Sequence, residues 1–221
     1  MEETIEYKGY TIQIEQDIYY PSNPRKDWDP ISTILSCHDK IDDECKKEGV
    51  VYDENEEYDW EATKALYVFN VKMVAILPLY FREFSYDCDL NTTGAGKQIG
   101  FVYISKEMWE SHMGKTDESS DWWQEYHKGK SKADVARRLI TGEIKTYQQW
   151  LNNEVYSYSI EGDDFEDRCS GYYGDDHEAS GLLEAAKESI DCHLNWILKE
   201  RLKVLKGYLK AKVPIMYRFA S

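Results

Sequence analysis

Apolar and polar positions alternate at the start of the chain. Ile5 and Tyr7, then Tyr10, Ile12 and Ile14, recur at every second residue on either side of Lys8-Gly9. That is the pattern of a β-hairpin with a tight turn. From Pro21 to Pro30 the chain is turn-rich, with Trp28 between two aspartates. Ile31–Cys37 reads as a short strand or a helical turn. Residues 39–59 are acidic and poorly periodic, so mostly loop is expected, followed by a short helix over Trp60–Val68. Val71–Phe84 is rich in β-branched and aromatic residues and reads as a strand. Pro78 confines it to a sheet edge or marks a bulge, because proline cannot donate to a ladder. A polar loop, Asp87–Gln98, then leads to a second strand, Ile99–Ser105, and the two strands are expected to form an antiparallel ribbon.

Helical spacing takes over next. Ser105 is the expected N-cap of a short helix through Met108 and Trp109. Ser131 caps a longer one, with Asp134 three residues on as a shortened capping box. Val135, Leu139, Ile144, Tyr147 and Leu151 follow at helical intervals, with a kink or break expected at Gly142. Val155–Ile160 alternates again and reads as a strand. Its hairpin partner is Cys169–Tyr173, across an acidic turn. A long amphipathic helix from about Ser180 to Leu209 ends the pattern, its stripe running through Leu183, Ala186, Ile190, Leu194, Ile197, Leu202, Leu205 and Leu209. The elements define an α+β fold with antiparallel β-hairpins and several helices. Residues 1–179 are expected to form one domain, and residues 180–221 a C-terminal helix packed on it or used in self-association.

Charge changes this picture more than composition does. The 221 residues include 27 Lys and Arg against 42 Asp and Glu, a net charge of −15 that argues against a general nucleic-acid binder. Residues 1–62 carry net −12, residues 161–191 net −9, and residues 192–221 net +6. Two acidic zones therefore stand apart from a basic tail. Either the charge is solvation, or an acidic face is aimed at a basic partner. The candidate partner-binding acids are Asp42, Asp43, Glu44, Asp53, Glu54, Glu56, Glu57, Asp163, Asp164, Glu166, Asp167, Asp175 and Asp176. Trp122 and Trp123 join them, because tryptophan is enriched among interface anchors.

The chemical motifs are weak. Thr93-Gly94-Ala95-Gly96-Lys97-Gln98 is similar to a phosphate loop, but Asn91 replaces the first glycine and Gln98 stands where a hydroxyl must hold magnesium. The five cysteines, Cys37, Cys45, Cys88, Cys169 and Cys192, are odd in number and scattered, which fits a reduced cytosol rather than a disulfide framework. Cys37-His38 with Cys45 and Cys88, and Cys192-His193, match no common zinc spacing. Asp163–Asp167 lacks the order of an EF-hand loop, and Asp87 with Asp89 lacks the lysine strand of a nuclease. No cofactor, no metal and no catalytic residue is expected. The opening MEETIEYKGY holds no apolar leader, and Val68–Phe84 is too interrupted to span a membrane.

Several segments together resemble a known family. They are Tyr7-Lys8-Gly9-Tyr10-Thr11-Ile12, Gln16-Asp17, Asn23-Pro24-Arg25, Trp28-Asp29 and Ser36-Cys37-His38-Asp39, then Gln98 through Glu107, Val155-Tyr156-Ser157-Tyr158 and Cys169-Ser170-Gly171-Tyr172-Tyr173-Gly174. In that order, over roughly residues 4–175, they resemble uncharacterised acidic proteins encoded by bacteriophages and related mobile elements. The resemblance carries no catalytic residues. It implies a small viral protein in the host cytoplasm. With the acidity, the expectation is a binding protein that inhibits a host defence complex, a CRISPR effector or a restriction enzyme, by acidic mimicry of nucleic acid. The alternatives are a metal-dependent hydrolase acting on nucleotides or nucleic acid, and a structural or regulatory phage protein. Homodimerisation through the C-terminal helix is a further partner expectation.

Overall fold

The computed structural model describes residues 3–36, 38–44, 50–55, 57–85, 87–115, 117–162 and 164–212. Its fold is α+β, with two four-stranded antiparallel sheets and a long C-terminal helix. The chain divides into two compact units, residues 1–19 with 155–221, and residues 20–154.

The first unit begins with the expected hairpin, β1 (Glu3–Tyr7) and β2 (Tyr10–Gln16), in which Tyr7 faces Tyr10. Lys8 and Gly9 both have positive φ, as a two-residue hairpin turn demands. β2 pairs next with β7 (Val155–Glu161), and β7 with β8 (Glu166–Tyr173), giving the order β1-β2-β7-β8. One face of this sheet presents Tyr10, Ile12, Ile14, Tyr158 and Ile160. Leu182, Ala186 and Ile190 of helix α5 (Leu182–Lys212) complete that core. These three residues recur every four positions, so they lie on one side of the helix.

The second unit is built on strands β3 (Thr33–Ser36), β4 (Met73–Glu83), β5 (Cys88–Asn91) and β6 (Lys97–Ser105), ordered β3-β6-β4-β5. β5 lies inside the segment expected to be loop. Cys88 and Leu90 alternate with half-buried Asp89 and Asn91, but four residues are too short a run to read as a strand unaided. Pro78 sits in the part of β4 that pairs only with β6, since β5 reaches no further than Tyr80, so β4 is a sheet edge at the proline. At Gly100 a Cβ would overlap the Leu35 carbonyl oxygen, which fixes glycine where β3 and β6 meet.

Among the described residues, four helices accompany this sheet. α1 (Trp60–Asn70) starts at Asp59, which caps the Ala62 amide, and α2 (Lys106–Met113) starts at Ser105, as expected. α3 (Asp121–His127) arises in the stretch read only as polar and aromatic. α4 (Lys132–Leu151) carries the full Ser131–Asp134 capping box and runs unbroken through Gly142. Its buried residues Val135, Ala136, Ile140, Ile144 and Tyr147 join Leu79, Phe81, Leu90, Val102 and Ile104 of the sheet in one core. The expected loop at 39–59 contains a 3-10 turn, Asp39–Glu44, and an isolated bridge between Tyr52 and Tyr58.

Candidate interaction surfaces

In the first unit the carboxylates do two different jobs. Asp164 accepts a hydrogen bond from the Tyr10 hydroxyl at 2.9 Å and lies 3.7 Å from His193 Nε2. Asp167 faces inward, where Ser189 of α5 and Tyr158 donate to it. It fastens the β8 strand to the helix. Burial, and next the Asp167 charge, push the Tyr158 phenol up to about 12. Asp176 accepts from the amides of Glu178 and Ala179 and so shapes the turn before α5. Glu166, Asp175 and Asp176 are exposed and form no ion pair among the described residues. Asp163 lies outside the described residues.

The register explains why the open face of this sheet is acidic. β7 positions opposite the α5 side are Val155, Ser157, Ser159 and Glu161. Val155 and Ser157 are buried, and the open end holds Ser159 and Glu161, paired with Arg168 and Glu166 of β8, with Thr11 and Gln13 of β2 beside Glu161 and Ser159. Arg168 stands 3.8 Å from Glu15, and Gln13 donates to Glu161. No large apolar residue stands at this open end, so it was not built for a hydrophobic partner.

In the second unit, Asp53, Glu54 and Glu57 sit on the tight turn between Tyr52 and Tyr58. The Asp53 carboxylate accepts from the Glu57 and Asn55 amides at 2.9 and 2.8 Å, and these bonds hold its pKa below the usual aspartate value. All three acids are exposed. Glu56 lies outside the described residues, and Asp42, Asp43 and Glu44 are described only as backbone in the 3-10 turn. The tryptophan doublet separates. Trp123 is fully buried and donates from Nε1 to the Lys130 carbonyl, while Trp122 is half exposed against Tyr126. Trp123 is therefore no surface anchor: on a helix, neighbours diverge by about 100°, and only one of the two can face water.

The weak motifs resolve into ordinary structure. Thr93–Gly96 is the β5–β6 turn, organised by Asn91, whose Oδ1 accepts from the Thr93 and Ala95 amides. Burial pushes the Cys88 thiol up, the reverse of an activated thiolate. Cys169 and Cys192 are exposed and free. His193 is packed between Phe165 and Trp196 rather than beside a thiol. Cys37 and Cys45 lie outside the described residues. Among the described residues no three His, Cys, Asp or Glu side chains converge as metal ligands, and no helix is long and apolar enough to cross a membrane.

Two features escape the sequence pattern. The stripe of α5 packs only in its first half; from residue 198 onward Leu198, Leu202, Leu205 and Leu209 are each more than half exposed. The second is a clamp at Glu143. Its carboxylate accepts from the Ile31 and Ser32 amides, from the Ser32 hydroxyl, and from Arg25 Nη1 at 3.1 Å. No sequence signal links residues more than 100 positions apart. Comparison with protein-family models, with curated proteins and with solved structures found no match.

Proposed function

We propose that this chain is a phage-encoded binding protein that inhibits a host defence complex by placing carboxylates in a basic nucleic-acid channel. The observation that carries this reading is the open face of the first unit's sheet with its adjoining turns. There Glu161, Glu166, Asp175 and Asp176 are exposed, and Arg168 is the one cation that stands among the named face residues. A basic channel that focuses phosphates attracts such a surface by the same field. The exposed Asp53, Glu54 and Glu57 of the second unit add a separate acidic turn. Polar side chains along the sheet face support recognition by charge rather than by apolar burial.

The test is a competition experiment against purified CRISPR effectors and restriction enzymes. The chain should displace labelled nucleic acid from one of them. Its association rate should fall steeply between 0.01 and 0.15 M salt, over which the screening length drops from about 30 Å to about 8 Å. Glu161→Gln with Glu166→Gln and Asp175→Asn should slow association while leaving the fold intact. A rate that ignores both salt and these substitutions overturns acidic mimicry.

A further inference from the structure

The second unit contains a cavity of about 790 Å³ bordered by the start of β4, by α2 and by the start of α4. Lys72, Lys106, Lys115 and Lys132 all line it. These four residues come from separate places in a chain of net charge −15, and the fold draws them together. The Lys106 amide donates to the Lys72 carbonyl at 2.7 Å, which ties the end of β6 to the residue before β4. Two carboxylates share the lining, Glu110 and Glu118. Glu110 stands 3.6 Å from Lys106 one helical turn away. Lys72, Lys115 and Lys132 form no ion pair among the described residues. Ser131 also borders the space, but its hydroxyl and amide are engaged by Asp134, so recognition of charge falls to the lysines. The remaining wall is apolar, with Met73, Val74 and an edge of the buried Trp109.

We propose that this cavity binds a nucleoside phosphate. Four lysines against two carboxylates leave the lining net positive, and a polyanion is drawn to it while accepting from the lysines' freely rotating donors. Lysine serves phosphate as a compact point charge. The apolar wall gives the base a surface that a bare phosphate does not use. The volume lies within the range of small-molecule sites, roughly 300–1,000 Å³. Apart from the basic tail over residues 192–221, the acidity of the chain repels anions, so this cavity concentrates a field of the opposite sign on the second unit. The inference is independent of the defence-inhibitor reading, because it concerns other residues and another ligand.

Isothermal titration of the full chain at low salt tests it, with ATP, pyrophosphate, adenosine and a short oligothymidylate as probes. ATP should bind, pyrophosphate more weakly, and adenosine without phosphate not measurably. Lys72→Glu with Lys132→Glu should weaken ATP binding by at least ten-fold, since a hydrogen bond to a charged group contributes about that much or more. Lys145→Glu, an exposed α4 change away from the cavity, should not weaken it, and Lys132→Arg should retain most of it. Unchanged circular dichroism of the double variant excludes unfolding as the cause. The proposal is overturned if ATP fails to bind at millimolar concentration, if the double variant and Lys145→Glu bind alike, or if oligothymidylate binds more than ten-fold tighter than ATP.

Discussion

Glu143 shows how much one side chain can decide. The Arg25 side chain is 5% exposed and Glu143 24%, and between them they satisfy two amides, a hydroxyl and a carbonyl of the segment entering β3. Removing the carboxylate strands the Arg25 guanidinium away from water, so Glu143→Ala should destabilise the second unit by about 2–4 kcal/mol, read as a lower urea midpoint. Glu143→Gln keeps the shape and should cost less; equal stability of both variants with the parent would show the clamp to be dispensable. His38 gives a pH-dependent counterpart. Its ring lies on Phe81 with centroids 4.1 Å apart, and burial lowers its pKa below 6.5, against the pull of Asp39 and Glu83. The fold thus prefers the neutral imidazole, while the unfolded chain takes up a proton near pH 6.5. This contribution to stability is fully present above that pH and is lost as pH falls from 6.5 through the folded value. His38→Gln should therefore lose less stability than the parent between pH 7 and pH 5.5. Equal losses in the two proteins would rule out His38 as the source.

α5 is where element and sequence part company. Its amphipathic stripe was legible in full, as were the first hairpin, the caps at Ser105 and Ser131 and the strands around Pro78, because each is written in local spacing or turn chemistry. What a stripe does not state is what covers it. Ile190 is fully buried against the first sheet, whereas Leu202 and Leu205 are 53% and 52% exposed. β5 and α3 were too short to announce themselves, and the lysine cavity and Glu143 clamp assemble from distant residues, so no local pattern could reveal them. Of the acids singled out by charge, Asp167 turned inward for the same reason: Ser189 lies 22 positions away. The two halves of α5 should respond differently to substitution. Ile190→Ala should cost about 2–4 kcal/mol in chemical denaturation, the usual penalty for a truncated core aliphatic. Leu202→Gln with Leu205→Gln should change stability by less than about 0.5 kcal/mol, as surface changes do. A large loss in the second variant would mean that the exposed half packs on something, and sedimentation velocity of parent and variant would then show whether that partner is a second copy, as the proposed homodimer requires.

At the scale of the whole molecule, the order of the elements along the chain is informative. β2 and β7 are antiparallel neighbours, paired from Thr11↔Glu161 to Gln16↔Tyr156, and the Asp17 amide continues the ladder to the Val155 carbonyl at 2.8 Å. Such a pair ordinarily closes through a turn of a few residues. Here the whole second unit, residues 20–154, occupies the place of that turn. It has its own sheet and its own hydrophobic core, and among the described residues the first unit's core of Tyr10, Ile12, Ile14, Tyr158, Ile160 and the α5 residues includes none of its side chains. Insertion of a domain at an exposed turn is tolerated when the chain leaves and re-enters at neighbouring points, because the entropy of closing a long loop grows only slowly with its length. The converse follows. A chain in which residues 19 and 155 are joined through Asn-Gly should keep the first sheet and α5, with a cooperative thermal transition by circular dichroism and protected amides at Ile12, Ile14 and Ile160. Residues 20–154 expressed alone should likewise fold, since the Glu143 clamp, the α4 capping box and the β3-β6-β4-β5 sheet all lie within them. An unfolded product from the joined chain, with a folded parent, would show that the first core depends on the inserted unit after all.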